Sequence, residues 1–145
     1  MTQLILSNSE IGSHTCNIAK RAETAIETKY LLGKLVPQSL NVAICGEDDL
    51  PIGIITDEAE APTAGKREIV NVSLLGSSDT LLAVASEAIQ AGDIIVPAAD
   101  GKVKPLPIAP GIYAMVGIAL TGAAGANQRM EFMSCVPQQH VVQEV

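Results

Sequence analysis

Apolar residues in this chain fall in short runs, each cut off by glycine, proline or clustered acids before it grows long. Runs of this kind predict β-strands rather than helices. The first group is Tyr30-Leu31-Leu32 up to Gly33, closed by Val36-Pro37, then Asn41-Val42-Ala43-Ile44-Cys45, then Pro51-Ile52-Gly53-Ile54-Ile55-Thr56. Gly46-Glu47-Asp48-Asp49-Leu50-Pro51 is a turn by composition. Gly53 inside a strand predicts a bulge or a close approach of two backbones. Residues 57–66 read as an exposed loop, and Glu68-Ile69-Val70-Asn71-Val72-Ser73-Leu74-Leu75 alternates as a half-buried strand does. Residues 80–90 carry conflicting signals. Their Leu and Ala favour helix behind an Asp79 cap, whereas the surrounding pattern favours strand, and a strand through Ala85 followed by an irregular turn is adopted. Asp93-Ile94-Ile95-Val96-Pro97 is a strand, Asp100-Gly101 a tight turn, and Lys102-Val103-Lys104 the return. Pro105, Pro107 and Pro110 then force an extended, edge-like path into the most apolar run, Ile112 to Leu120. After a loop over 121–127, Arg129-Met130-Glu131-Phe132-Met133 alternates as a last strand, which Pro137 is expected to stop, leaving a polar tail.

The two halves of this pattern match. Gly33 and Gly92 are 59 positions apart, Gly53 and Gly117 are 64 apart, and Gly65 and Gly125 are 60 apart. A loose two-fold repeat of short strands and tight turns predicts a mainly β fold, a small β-barrel or sandwich. The opening 27 residues differ: polar, with Ile5, Ile11, Ile18 and Ile26 as isolated apolar points. They predict an extended N-terminal arm over 1–27 lying across another surface, ahead of a β-rich core over 28–145.

At 145 residues with 48% apolar content, the chain has enough material for one real core. No apolar run reaches the roughly 18–20 residues that span a bilayer as a helix, so no membrane partner is expected. The first residues lack a basic segment followed by a long apolar one, and no secretory signal is expected. The net charge of −7 repels phosphate backbones, and Tyr30, Tyr113 and Phe132 are the only aromatic residues, so nucleic acid is not an expected partner. Cys16, Cys45 and Cys135 are odd in number and form no CxxC, which points to small reduced side chains rather than a disulfide framework or zinc knuckle.

Chemistry is sparse. His14-Thr15-Cys16 offers two metal donors and His140 a distant third, without ligand spacing. Both histidines lie near the ends, a poor setting for a catalytic base, and no Gly-x-Ser-x-Gly elbow is present. Gly65-Lys66 and Gly101-Lys102 lack the upstream glycine and following Ser or Thr of a phosphate loop. The acids Glu47-Asp48-Asp49, and Asp57-Glu58 with Glu60, lack calcium-loop spacing and read as solvated turns. No cofactor, metal or catalytic residue is assigned, and the expectation is a non-enzyme. Lys102, on a hairpin of a duplicated β fold, leaves a lipoyl- or biotinyl-like carrier domain as the alternative, although the flanking residues differ.

One resemblance adds a function. Thr28-Lys29-Tyr30-Leu31-Leu32, then residues 42–46 and 51–59, then Val84-Ala85-Ser86-Glu87-Ala88-Ile89-Gln90-Ala91-Gly92-Asp93, Asp100-Gly101-Lys102-Val103 and Val116-Gly117-Ile118-Ala119-Leu120 together resemble the capsid decoration (cement) proteins of tailed bacteriophages. The resemblance runs over residues 19–142 in the order and spacing of glycine-centred strands. It implies a structural virion protein, made in the bacterial host cytoplasm and placed on the outer capsid surface. Its implied partners are the major capsid protein, whose neighbouring capsomers it bridges, and its own copies in a homotrimer. It also implies that Ile5, Ile11, Ile18 and Ile26 of the arm touch the shell or a sister subunit. Another tail- or fibre-associated binding module is the remaining alternative.

Overall fold

Every apolar run predicted between Leu31 and Ala119 forms a strand in the computed structural model, which describes residues 16–66, 68–77 and 79–144. Strands β1 (Asn17–Ala22), β2 (Leu31–Leu35), β3 (Asn41–Ile44), β4 (Gly53–Ile55) and β5 (Ile69–Leu74) close into a barrel. Strands β6 (Thr80–Val84), β7 (Ile94–Pro97), β8 (Val103–Pro105), β9 (Gly111–Ala119) and β10 (Arg129–Val142) form a sheet in the order β6-β10-β9-β7-β8. The fold is a mainly β, barrel-based one, as the sequence predicts. The ambiguous 80–90 segment is strand and then turn.

The repeat is a repeat of topology. In the first half β1 pairs with β5 and, in parallel, with β3, while β2 pairs with β3 and β4, and β4 with β5. In the second half β6 pairs with β10, β7 with β8 and β9, and β9 with β10. A single parallel bridge, Ala85 to Val103, brings the β6 end to β8 where Ala22 meets Val42 in the first barrel. The bridge Ile26–Ala59 recurs as Ile89–Ala123. Gly53 and Gly117 are true counterparts: each stands where the strand following it in the chain crosses too close for a Cβ. Gly33 and Gly92 are not. Gly33 faces Gly53 as Ile95 faces Gly117, and the counterpart of Gly92 is Tyr30. The Tyr30 amide donates to the Ile55 carbonyl as the Gly92 amide does to Ala119, and both residues have left-handed φ, 70° and 94°.

Two apolar clusters explain why these strands read as unbroken apolar runs. One fills the first barrel with Ala22, Ile26, Val42, Ile55, Val70 and Val72. The other joins the halves: Leu32, Cys45 and Ile54 pack with second-half residues including Ile95, Val116, Met130 and Phe132. Adjacent side chains on a strand point to opposite faces. Ile54 therefore enters the shared core while Ile55 enters the barrel, and both are buried. A strand buried on both faces cannot alternate. The halves are also pinned at Gly101, buried in a short 3-10 turn (Ala99–Gly101), whose amide donates to the Cys45 carbonyl at 2.8 Å.

Two expectations are corrected here. The arm boundary at residue 27 falls too late, because Asn17–Ala22 is β1 and closes the barrel against β3 and β5. A barrel strand needs apolar groups only on its inner face, so Ile18 and Ala22 suffice among polar neighbours, and the sequence hides it. The last strand does not stop at Pro137 but continues to Val142. The register shifts between Ser134 and Gln138, and Pro137 occupies that irregularity, where a residue without an amide hydrogen removes no ladder bond.

Candidate interaction surface

The sequence-predicted contact residues separate in the structure. Ile5 and Ile11 lie outside the described residues. Ile18 is half-buried against the first-barrel core, and Ile26 is fully buried beside Ala59, with amide–carbonyl bonds of 2.8 and 2.9 Å in both directions. Both pack in the first barrel, and Ile26, fully buried, is not free to touch another molecule.

The strands β9 and β10 present more surface than the fold requires. Gly117–Ala119 pairs with residues 132–134 inside the sheet, as Gly53–Ile55 pairs with residues 72–74 in the barrel. Beyond that point the second half departs from the first. Gly111–Met115 continues to pair with Gln138–Val142 past the bulge. The neighbours give out earlier, since β7 reaches β9 only at Gly117 and Ile118, and β6 reaches β10 only through Met133. The outcome is a two-stranded ribbon, residues 111–116 with 135–142, with no further strand on either edge among the described residues. Ile112 stands directly across from Val141, and they are 66% and 57% exposed. Val136, beside Gly76, and Ile108 are 64% and 96% exposed. The loop leading into the ribbon is fixed by Tyr113, whose hydroxyl donates to the Ala109 carbonyl at 2.9 Å.

Beside the ribbon runs a groove of about 290 Å³, lined by Ile112, Ala114 and Gln139 on one wall and the Glu47–Leu50 turn on the other. Two of the three acids of that turn are already engaged. Asp49 accepts from the Gly46 amide at 2.8 Å and pairs with Lys34 at 2.7 Å, while Glu47 pairs with Lys104. The Lys34 ammonium and the Gly46 amide hold the Asp49 carboxyl below its ordinary value. In the second acidic segment Asp57 accepts from the Asn71 amide at 2.8 Å, and Glu60 pairs with Lys66 at 2.6 Å. These carboxylates pin turns and loops rather than converge on one point. No group of three His, Cys, Asp or Glu side chains suited to a metal ion occurs among the described residues.

The cysteines are free thiols. Cys45 is buried in the shared core, and burial pushes its pKa up to about 12. Cys16 is raised chiefly by its hydrogen bond with Asp79, and Cys135 by burial. A thiol with a raised pKa is a poor nucleophile. Lys102, the carrier candidate, follows the 3-10 turn, and its ammonium sits 2.6 Å from the Asn127 side-chain oxygen.

Sequence reasoning found none of the ribbon's exposed residues as a surface. The signal was present: residues 105–128 and 132–143 contain no Asp, Glu, Lys or Arg, in a chain of net charge −7.

No protein-family model matches the chain, and no curated protein matches it. Among solved structures it is similar to the N base of the head fiber protein gp8.5 of bacteriophage phi29. The identity is 18%, the TM-score is 0.61, and the match covers 86% of this chain and 98% of that one.

Proposed function

We propose that this protein is a structural component of a bacteriophage particle, which binds the outer capsid surface in several copies and stabilises the shell by bridging neighbouring capsomers. The observation that carries this reading is the fold likeness to a head fiber base over almost the whole of both chains. The site chemistry fits a binding role. In the groove beside the ribbon Glu47 and Asp49 are tied into ion pairs, and the Cys45 thiol is raised in pKa. Many weak identical contacts on a lattice add up through effective concentration, so one subunit needs no deep pocket. The arm now reduces to residues 1–15 with Ile5 and Ile11, proposed to touch the shell, since Ile18 and Ile26 serve the barrel.

The neighbour's description as the base of a fiber favours a second reading, in which this protein seats a projecting fibre rather than cementing capsomers. Electron microscopy of the parent particle, with the density of this protein located, tests both. Density between capsomers supports the cement role, and density beneath a projection supports the fibre base. Particles that never contain the protein refute the virion reading. Adding back protein lacking residues 2–15 to undecorated capsids is expected to lower occupancy severalfold, and full occupancy would refute the arm.

A further inference from the structure

Strands β7 and β9 part, and the gap between them opens into the groove beside the ribbon. They pair at Ile94 with Ile118 and at Ile95 with Gly117, and no further. The same antiparallel register would next set Val96 against Val116 and Pro97 against Met115. Pro97 has no amide hydrogen, so it cannot donate a ladder bond there. On its other side β7 keeps β8, with Val96 opposite Lys104 and Pro97 opposite Val103. Strand β9 runs back to Gly111 beside β10 alone. Its groove-side edge over residues 111–116 therefore has no strand partner among the described residues. An open edge of this kind is a template for one more strand.

The lining of the groove says what that strand carries. Val96 and Pro97 line it together with Ile112 and Ala114, and Leu50 of the facing turn is 68% exposed. These groups suit aliphatic side chains. The turn itself is acidic. Glu47 and Asp49 are held by Lys104 and Lys34, whereas Asp48 is exposed, lines the same groove and has no ion-pair partner among the described residues. One negative charge is left over beside an apolar slot and an open strand edge, and a basic side chain complements it. Other occupants fit less well. Residues 1–15 contain Glu10 and no Lys or Arg, and a second copy brings its own net charge of −7. A nucleic acid would set phosphates against the Asp48 carboxylate.

We infer that the groove between the Glu47–Leu50 turn and residues 111–116 of β9 takes an extended segment of another protein, which adds a strand to the β9 edge and sets a Lys or Arg against Asp48. At ~3.4 Å per residue, this edge accommodates a segment of about six residues, ~20 Å long. Backbone pairing supplies the affinity, and the alternating side chains supply the specificity.

The test is selection from a surface-displayed library of random peptides, about seven residues long, against the purified full chain. Enriched peptides are expected to be aliphatic with one Lys or Arg. The leading peptide is synthesised and titrated calorimetrically into the wild type, Asp48→Asn, Asp48→Lys and Glu87→Lys, an exposed acid outside the groove that controls for net charge. Its Kd is expected to rise about threefold in Asp48→Asn and about tenfold in Asp48→Lys, and to stay within about twofold in Glu87→Lys. The Asp48 variants are expected to keep the wild-type circular dichroism spectrum, because that side chain is exposed. N-methylation of alternate peptide amides is expected to abolish binding, and bound peptide to slow amide exchange over 111–116. The inference is overturned if no peptide is enriched, if the enriched ones lack a basic residue, or if Asp48→Lys leaves Kd unchanged. It is also overturned if exchange slows elsewhere, or slows over 111–116 with protein concentration alone, which would give the slot to a second copy. The inference stands apart from the virion reading. A particle component that selects no such peptide sinks the slot alone, and a peptide-binding protein absent from every particle sinks the virion reading alone.

Discussion

The close approach of the β10 backbone sets a measurable energy at Gly117. A Cβ built there lies 2.2 Å from the Met133 carbonyl oxygen and 2.8 Å from the Phe132 ring, whereas ordinary contact is 3.4–4 Å. The oxygen belongs to β10 backbone, so no side-chain rotation relieves the clash. Gly117→Ala must push β9 from β10 by roughly an ångström, beside the fully buried Phe132. Overpacking of this kind costs about 1–3 kcal/mol. In a domain of this size each kcal/mol lowers Tm by about 2–4 °C, so a fall of about 2–12 °C is expected. Gly53→Ala meets the equivalent collision, 2.4 Å from the Ser73 oxygen and 2.7 Å from the Val72 side chain, and is expected to lose a comparable amount. Gly125→Ala is the control: nothing lies within 4 Å of its Cβ, and the change is expected to stay within about 0.5 kcal/mol. Thermal melts followed by circular dichroism and by calorimetry read all three. If Gly117→Ala melted within about 1 °C of the wild type while Gly125→Ala did not, the strand register and the equivalence of the two halves would both be wrong.

Two further predictions concern the shared core. Cys45 keeps its proton in the folded state to about pH 12, against 9.0 for an ordinary cysteine, so above pH 9 the unfolded chain binds fewer protons than the folded one. Its contribution to stability is therefore intact below pH 9 and lost as pH rises towards 12, and Cys45→Ala is expected to flatten that part of the wild-type stability curve in urea titrations at stepped pH. A curve of unchanged slope would contradict the burial. Tyr30 holds a left-handed φ of 70° with its ring against the shared core and the Arg129 guanidinium 4.8 Å from the ring centroid. Tyr30→Ala is expected to cost about 1–3 kcal/mol, and a double-mutant cycle with Arg129→Ala should return a coupling of about 0.5–1 kcal/mol, whereas additive losses would deny the contact.

Much of this architecture was readable because turn chemistry and strand chemistry occupy different residues. Asp100-Gly101 turns the chain between β7 and β8 because the backbone there must enter the left-handed region, with φ of 60° and 75°. Gly53 signalled a bulge or close backbone approach and stands at a close approach, as does its repeat partner Gly117. The signal failed where tertiary partners outvoted local pattern. Ile26 looked isolated in sequence, yet it pairs with Ala59 far along the chain and is buried by the closing barrel. Pro137 looked terminal, yet a register shift gave it a place inside β10.

By itself, then, the sequence determined the short strands, the turns between them and the duplicated plan. Those depend on neighbours a few residues apart, through backbone conformation and the spacing of apolar side chains. Only the tertiary structure decided that residues 17–22 close a barrel, that Leu32, Cys45 and Ile54 share a core with the second half, and that Ile112 meets Val141 on an open ribbon. Those depend on which distant strands meet and in what register, and a side chain's burial is settled by the partner that covers it rather than by the residues beside it.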